Sequence, residues 1–221
     1  MKSLLSTLAL LAFVAVAPQA DAASIQYSLK TDTCTNGCGN GSTTFGTVTL
    51  TQTLSSIVDV KVELISPTKF VAGTSLAFDL AGFTLVSTDI SGLTSGFAFN
   101  SGPVFMNGAL GTFDYGITCV VPTGCGNGAS NPNPGPLDFT ITKTGLTLNS
   151  FTTSSGGSSG AYIFASDVQG PNQGNTGKVG SLPDTKITIT SVPEPMSMSR
   201  SEEHTSELQS HHDLVCRLLL E

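Results

Sequence analysis

The feature that most limits how this chain can fold is the alternation of apolar and polar residues along short segments. In IVDVKVELI (57–65) every second residue is valine or leucine, and charged residues stand between them. In TVTLTQTL (47–54) threonines alternate with valine and leucine, with only Gln52 outside the pattern. Because successive side chains of a strand point to opposite faces, this period of two predicts strands that bury one face.

The same reasoning predicts strands along most of the chain up to residue 190. Further candidates are residues 25–29, 76–80, 97–99, 113–121, 137–143, 146–151, 162–168 and 186–190. Turn-forming Gly, Pro, Asn and Ser separate nearly all of them, and no long segment before residue 200 has helical periodicity. The sequence therefore predicts one all-β domain over residues 23–190, an antiparallel β-sandwich or jelly roll.

Residues 1–22 have the organisation of a secretory signal peptide. Lys2 supplies the positive start, residues 4–17 form the apolar core, and Ala20-Asp21-Ala22 is a small-x-small cleavage site. We expect cleavage after Ala22 and an exported mature chain that begins at Ala23.

The charge of the chain argues against nucleic acid as a partner. Only 11% of the residues are charged, against about 25% in an average globular protein. The formal net charge is -7, and no cluster of Lys and Arg offers the basic face that phosphate binding requires.

The pentapeptide GCGNG occurs twice, at 37–41 and 124–128, and each copy has a second cysteine just upstream. In an exported chain the four residues Cys34, Cys38, Cys119 and Cys125 predict two disulfides, with three possible connectivities. Proximity favours the local pairs, although crossed pairing would close longer rings and stabilise more. A four-thiolate zinc site is the alternative, disfavoured by the x5 spacing and by the export signal.

Other residue patterns suggest chemistry less strongly. Ser158 is the central serine of a G-x-S-x-G match, but all three histidines lie beyond residue 199, so the base of a serine hydrolase is lacking. A carboxylate pair for acid–base chemistry would have to be assembled by the fold, from candidates such as Asp79, Asp89, Asp114 and Asp138. We assign no catalytic residue and expect no enzymatic activity.

The segment FASDVQGPNQGNTGKV (164–179) carries oxygen donors of the kind that calcium prefers: Asp167, Asn172, Gln173 and Asn175. It lacks the regular acidic spacing of a calcium loop, so a polar surface turn is the preferred interpretation. We assign no metal and no cofactor.

A short motif near the C-terminus points to a family. VPEP, formed by Val192, Pro193, Glu194 and Pro195, follows a Ser/Thr/Gly-rich β domain with an export signal, and resembles the PEP-CTERM sorting signal of bacterial surface proteins. The 164–179 segment also resembles one found shortly before this motif in such proteins. The resemblance implies a membrane-spanning helix and a basic cluster after the motif, and an exosortase-type processing enzyme as partner.

The chain departs from that pattern after Met196. Residues 191–199 are read as the remnant of the sorting signal, because no run of about 20 apolar residues follows. In residues 200–221, RSEEHTSELQS corresponds to one reading frame of a common sequencing-library adapter. We therefore interpret 200–221 as non-biological and expect the membrane anchor in the intact gene.

These observations predict an exported, surface-directed protein that acts without catalysis in the cell envelope or the extracellular polymer matrix, with extracellular polysaccharide as a partner. One alternative is a carbohydrate- or ice-binding module, suggested by threonine faces at 47–53 and 140–144. A flat array of adjacent threonine strands would support it. A second alternative is a hydrolase that uses two carboxylates converging in a cleft.

Overall fold

The alternating segments form antiparallel strands, and the fold is all-β, as the sequence predicts. The structure is a computed structural model that describes residues 22–41, 43–172 and 174–189. Its strands are β1 Ala23–Leu29, β2 Thr31–Asp32, β3 Gly46–Leu54, β4 Ile57–Leu64, β5 Lys69–Phe70, β6 Gly73–Leu80, β7 Ile90–Ser91, β8 Phe97–Asn100, β9 Val104–Asn107, β10 Gly111–Phe113, β11 Tyr115–Cys119, β12 Leu137–Thr142, β13 Phe151–Thr152, β14 Phe164–Gln169, β15 Thr176–Ser181 and β16 Ile187–Ile189. Short 3-10 turns lie at Ser87–Asp89, Leu148–Ser150 and Pro183–Thr185.

The strands form two main sheets and one hairpin. Sheet A has the order β16-β1-β3-β4-β12-β7, and sheet B has the order β2-β15-β14-β6-β11-β8, with β13 beside β6 and β5 beside β14. Strands β9 and β10 pair with each other as a separate hairpin. The chain passes from β1 of sheet A directly into β2 of sheet B, which joins the two sheets along one side.

The main core lies between the two sheets. Sheet A contributes the apolar residues of its alternating strands, including Val48, Leu50, Val58, Val60 and Val62. Gln52, the exception in the β3 pattern, has a structural role: its amide donates to the carbonyls of Leu54 and Leu146 and accepts from the Leu148 N–H. An inward amide is tolerated there because it satisfies backbone groups of the neighbouring loop.

Sheet B is covered on both faces, which explains why β6 is buried continuously from Ser75 to Leu80. On the face away from sheet A, Gly116, Ala77, Ala165 and Gly180 stand opposite one another on four neighbouring strands. This row of small residues lets the β9–β10 hairpin approach closely. A Cβ on Gly116 would stand 2.9 Å from Val104 Cγ2, so the row has no space for larger side chains.

Two of the sequence-based strand assignments are wrong in detail. Residues 146–151 form the 3-10 turn at Leu148–Ser150, with strand β13 starting only at Phe151. Residues 113–121 are interrupted at Asp114, between β10 and β11. At Asp114 the backbone N–H donates to the Asp79 carboxylate, so a side chain replaces a strand partner.

Candidate functional site

The two local disulfides predicted from the sequence are formed and lie at one end of the sandwich. The Cα atoms of Cys34 and Cys38 are 5.5 Å apart, and those of Cys119 and Cys125 are 5.7 Å apart. Cys119 pairs with the first residue of β6, and Cys34 follows β2. We call this end of the molecule the disulfide pole.

The described ends of the chain lie at the opposite end. Near the start of β1, Ser24 pairs with Ile189 of β16. Strand β1 then runs toward the disulfide pole and ends at Leu29. The predicted cleavage site and the sorting motif Val192–Pro195 therefore both follow or precede, in sequence, residues at this second end. The motif itself lies outside the described residues, as do the signal peptide up to residue 21 and the tail. We call this end the terminal pole.

Asp32 organises the first disulfide loop. Its Oδ1 accepts from the Cys34 N–H at 3.0 Å, and its Oδ2 accepts from the N–H groups of Cys38 and Gly39 at 2.8 and 2.9 Å. The carboxylate and the two sulfurs form a cluster of metal-ligand type. However, the sulfurs are bonded to each other and the carboxylate is engaged by three backbone donors, so this cluster has no thiolate to offer a metal.

Two of the residues weighed as calcium donors, Asn172 and Asn175, fasten this loop instead. The side-chain amides of Asn172 and Asn175 donate to the Gly37 carbonyl at 3.2 and 2.9 Å. Asp167 forms an ion pair with Lys178 at 3.1 Å, and burial raises the pKa of its carboxyl while Lys178 opposes the shift. Gln173 lies outside the described residues. The segment is a hairpin whose two ends belong to strands β14 and β15, so the polar surface turn that we preferred is limited to the residues between these strands.

The second disulfide loop is held by its neighbours in a similar way. The Asn133 side chain donates to the Gly124 carbonyl at 3.1 Å, and the Ala72 N–H donates to the Gly128 carbonyl at 3.1 Å. Gly124 packs directly against Gly96, where a Cβ on either residue would collide with backbone atoms of the other. The two GCGNG copies thus form two fastened loops at the same pole.

Of the four candidate carboxylates, three have distinct structural surroundings. Asp79 is buried, and burial raises the pKa of its carboxyl to about 6. Asp89 accepts from Lys143 Nζ at 2.9 Å and from the Val86 N–H, and these bonds lower its pKa. Asp114 is exposed, and its backbone N–H donates to the Asp79 carboxylate.

Ser158, the serine of the G-x-S-x-G match, lies in a loop. The backbone N–H of Ser158 donates to the Gly108 carbonyl.

Asp138 belongs to a polar surface that the sequence did not reveal as one site. On the outer face of sheet A, one row runs Ser24, Thr51, Asp59, Thr140 and Ser91, and the next runs Gln26, Thr49, Lys61 and Asp138. Ser24 and Thr51 hydroxyls are 2.9 Å apart, the Gln26 amide donates to Thr49 at 3.1 Å, and Thr140 donates to Asp59 at 2.6 Å. We call these two rows the polar face.

The middle of the polar face is a shallow depression of about 380 Å³. Its lining includes Thr51, Asp59, Lys61, Asp138 and Thr140, although most of the exposed lining is apolar. Asp59 and Asp138 stand diagonally on the neighbouring strands β4 and β12, so both carboxylates reach the same depression. Only their strand register brings them together, which is why sequence spacing gave no signal for the pair.

The threonine strands are not adjacent to each other. Strand β4, with Asp59, Lys61 and Glu63 on its outer face, separates the threonines of β3 from those of β12. The flat array of adjacent threonine strands that would support the carbohydrate- or ice-binding alternative is therefore not formed by these strands.

Within the part of the chain that the structure describes, no helix combines the length and the apolar character needed to cross a membrane. Comparisons with protein-family models, with curated proteins and with solved structures find no match for this chain.

Proposed function

We propose that this chain is an exported, surface-directed protein of the PEP-CTERM type that acts without catalysis in the cell envelope or the extracellular matrix. The observation that supports this most is the arrangement of the two poles. Local disulfides, which persist in oxidising compartments, stabilise the loops of one pole. Strand β16, at the other pole, leads towards the sorting motif. A tether at the terminal pole would present the disulfide pole outward.

The sorting motif is tested by a fusion. Because the resemblance implies that a membrane helix follows the motif, residues 1–199 are fused to an apolar helix with a basic end and expressed in a bacterium that has an exosortase. We expect processing of the fusion and surface display of the domain. Replacement of Pro193, Glu194 and Pro195 by alanine is expected to leave the fusion unprocessed in the membrane, and equal processing of both proteins would contradict the assignment.

A second candidate function is binding of a neutral polysaccharide at the polar face. The depression offers paired hydroxyls and the carboxylates of Asp59 and Asp138, which accept hydrogen bonds from neighbouring sugar hydroxyls. The depression carries two carboxylates but only one ammonium group, that of Lys61. This negative balance disfavours binding of an anionic polymer, because like charges repel. The depression is open to solvent, so this arrangement favours binding over a water-excluding acid–base pair.

The binding candidate is tested with a panel of soluble neutral oligosaccharides and calorimetry. The double variant Asp59→Ala, Asp138→Ala is expected to bind at least about tenfold more weakly, since the loss of even one hydrogen bond to a charged group costs about 1.5 kcal/mol, a factor of about ten. Asp184→Ala, on the exposed 3-10 turn after β15, is the control and should bind like the parent protein. No binding to any member of the panel, or unchanged binding by the double variant, would refute this candidate.

A further inference from the structure

The chain contains four Asn–Gly dipeptides, at 36–37, 40–41, 107–108 and 127–128. In such a pair the backbone nitrogen of glycine can attack Cγ of the asparagine side chain. The new N–C bond displaces the amide as ammonia and gives a cyclic imide, which water then opens to aspartate or iso-aspartate. The reaction needs a side-chain amide that can reorient and a glycine nitrogen that is not held elsewhere. The structure allows these requirements to be compared at all four sites.

Two of the four sites are held by hydrogen bonds that the reaction would have to break. Asn107 Oδ1 accepts from the N–H groups of Ala109 and Leu110 at 3.0 and 2.8 Å, and its Nδ2 donates to Thr33 Oγ1 at 2.8 Å. These bonds fix the whole amide. At Asn36 it is the nucleophile that is held, because the Gly37 N–H donates to the Cys34 carbonyl at 3.0 Å inside the first disulfide loop.

Asn40 is held by Thr43. The Thr43 hydroxyl donates to Asn40 Oδ1 at 2.9 Å. A side chain that accepts a hydrogen bond at Oδ1 must release it before Cγ can turn toward the next nitrogen. This site is therefore slowed as well.

Asn127 differs from the other three. It is exposed, and among the described residues neither its side-chain amide nor the Gly128 N–H has a hydrogen-bond partner. Gly128 has a φ of +58°, and beyond its chain neighbours no atom lies within 4 Å of the position that a Cβ would take, which is also true at Gly41 and Gly108. The side chain and the nucleophile thus have the freedom that the other sites lack.

We propose that Asn127–Gly128 is a site of spontaneous deamidation in the folded protein. The product introduces a carboxylate into the second disulfide loop, and the iso-aspartyl form also adds a methylene group to the backbone. The change falls between two hydrogen bonds that shape this loop: Ser130 N–H to the Asn127 carbonyl, and Ala72 N–H to the Gly128 carbonyl, both 3.1 Å. Deamidation would therefore alter the charge and the attachment of one loop at the disulfide pole.

The test is a time course of the intact, oxidised full chain at mildly alkaline pH. Peptide mapping by mass spectrometry follows the conversion of amide to acid at each of the four asparagines, and an iso-aspartyl methylation assay identifies the product. We expect Asn127 to react at least about fivefold faster than each of the others, because one restraining hydrogen bond of about 1 kcal/mol slows the reaction by a factor of about five.

Two controls separate the effect of the fold from that of the dipeptide. Unfolding the reduced chain should bring the four rates close together, since the hydrogen bonds at 36, 40 and 107 are then lost. Asn127→Gln should remove the dominant iso-aspartyl signal. The proposal is overturned if Asn127 stays intact in the folded protein while the unfolded chain reacts, or if Asn36, Asn40 or Asn107 reacts as fast as Asn127 in the native state.

Discussion

Replacing Phe78 with alanine is expected to lower the free energy of unfolding by about 4 kcal/mol, the largest single effect that the structure predicts. Phe78 is fully buried, and its ring centroid lies 5.6 Å from that of Tyr115, 6.1 Å from Phe139 and 6.0 Å from Phe151. Phe139 belongs to sheet A and Tyr115 to sheet B, so the Phe78 ring connects the two sheets. Its removal leaves a cavity between the sheets that the surrounding side chains fill only in part.

Urea unfolding at fixed pH, with both disulfides intact, measures this effect. The matched control is Phe105→Ala on strand β9, where the ring is 67% exposed and truncation is expected to change stability by less than about 1 kcal/mol. Equal losses for the two variants would show that the space between sheets A and B is not the core.

The second large effect concerns Asp79 and depends on pH. Burial raises the pKa of this carboxyl from its usual value of 3.8 to about 6, while its bond from the Asp114 N–H opposes the shift. The folded state therefore holds a proton on Asp79 in a range of pH where the unfolded chain has lost it. The stability that this proton contributes is fully present below about pH 4 and is lost as the pH rises through about 6. The difference between the two pKa values corresponds to about 3 kcal/mol.

Asp79→Asn removes this titration and keeps an oxygen that accepts from the Asp114 N–H. We expect the variant to gain up to about 3 kcal/mol over the parent between pH 4 and pH 7, as measured by urea unfolding at a series of pH values. Asp89→Asn is a control in which the change in stability should have the opposite sign. Because Lys143 lowers the pKa of Asp89, that variant should be less stable than the parent at neutral pH, and the deficit should disappear as the pH falls. A pH-independent difference between Asp79→Asn and the parent would contradict the burial of the carboxyl.

Much of the fold was accessible from the sequence because sheet A buries only one face. Strands β1, β3, β4 and β12 alternate clearly, and each lies within two residues of its predicted bounds. Sheet B was harder to predict because the hairpin covers its second face. Strand β15, with the sequence TGKVGS, has no alternation, since Gly177 and Gly180 are required where Cys34 and the Tyr162 ring approach.

The features of the candidate sites also differ in how far the sequence can predict them. The local disulfides follow from spacing within one short loop, so the sequence could favour the correct pairs. The role of Asp32, six residues before Cys38, and the meeting of Asp59 with Asp138 depend on loop conformation and on strand register. Neither is set by local spacing, and no simple sequence signal identifies them.

We propose that this protein is exported, and maturation of the full chain in a diderm bacterium tests the proposal. Cells are separated into cytoplasm, periplasm and medium, and the purified protein is analysed by N-terminal sequencing and by peptide mapping without reduction. We expect protein outside the cytoplasm that begins at Ala23 and contains the disulfides Cys34–Cys38 and Cys119–Cys125. Protein retained in the cytoplasm, with residues 1–22 intact and these four cysteines as free thiols, would contradict it.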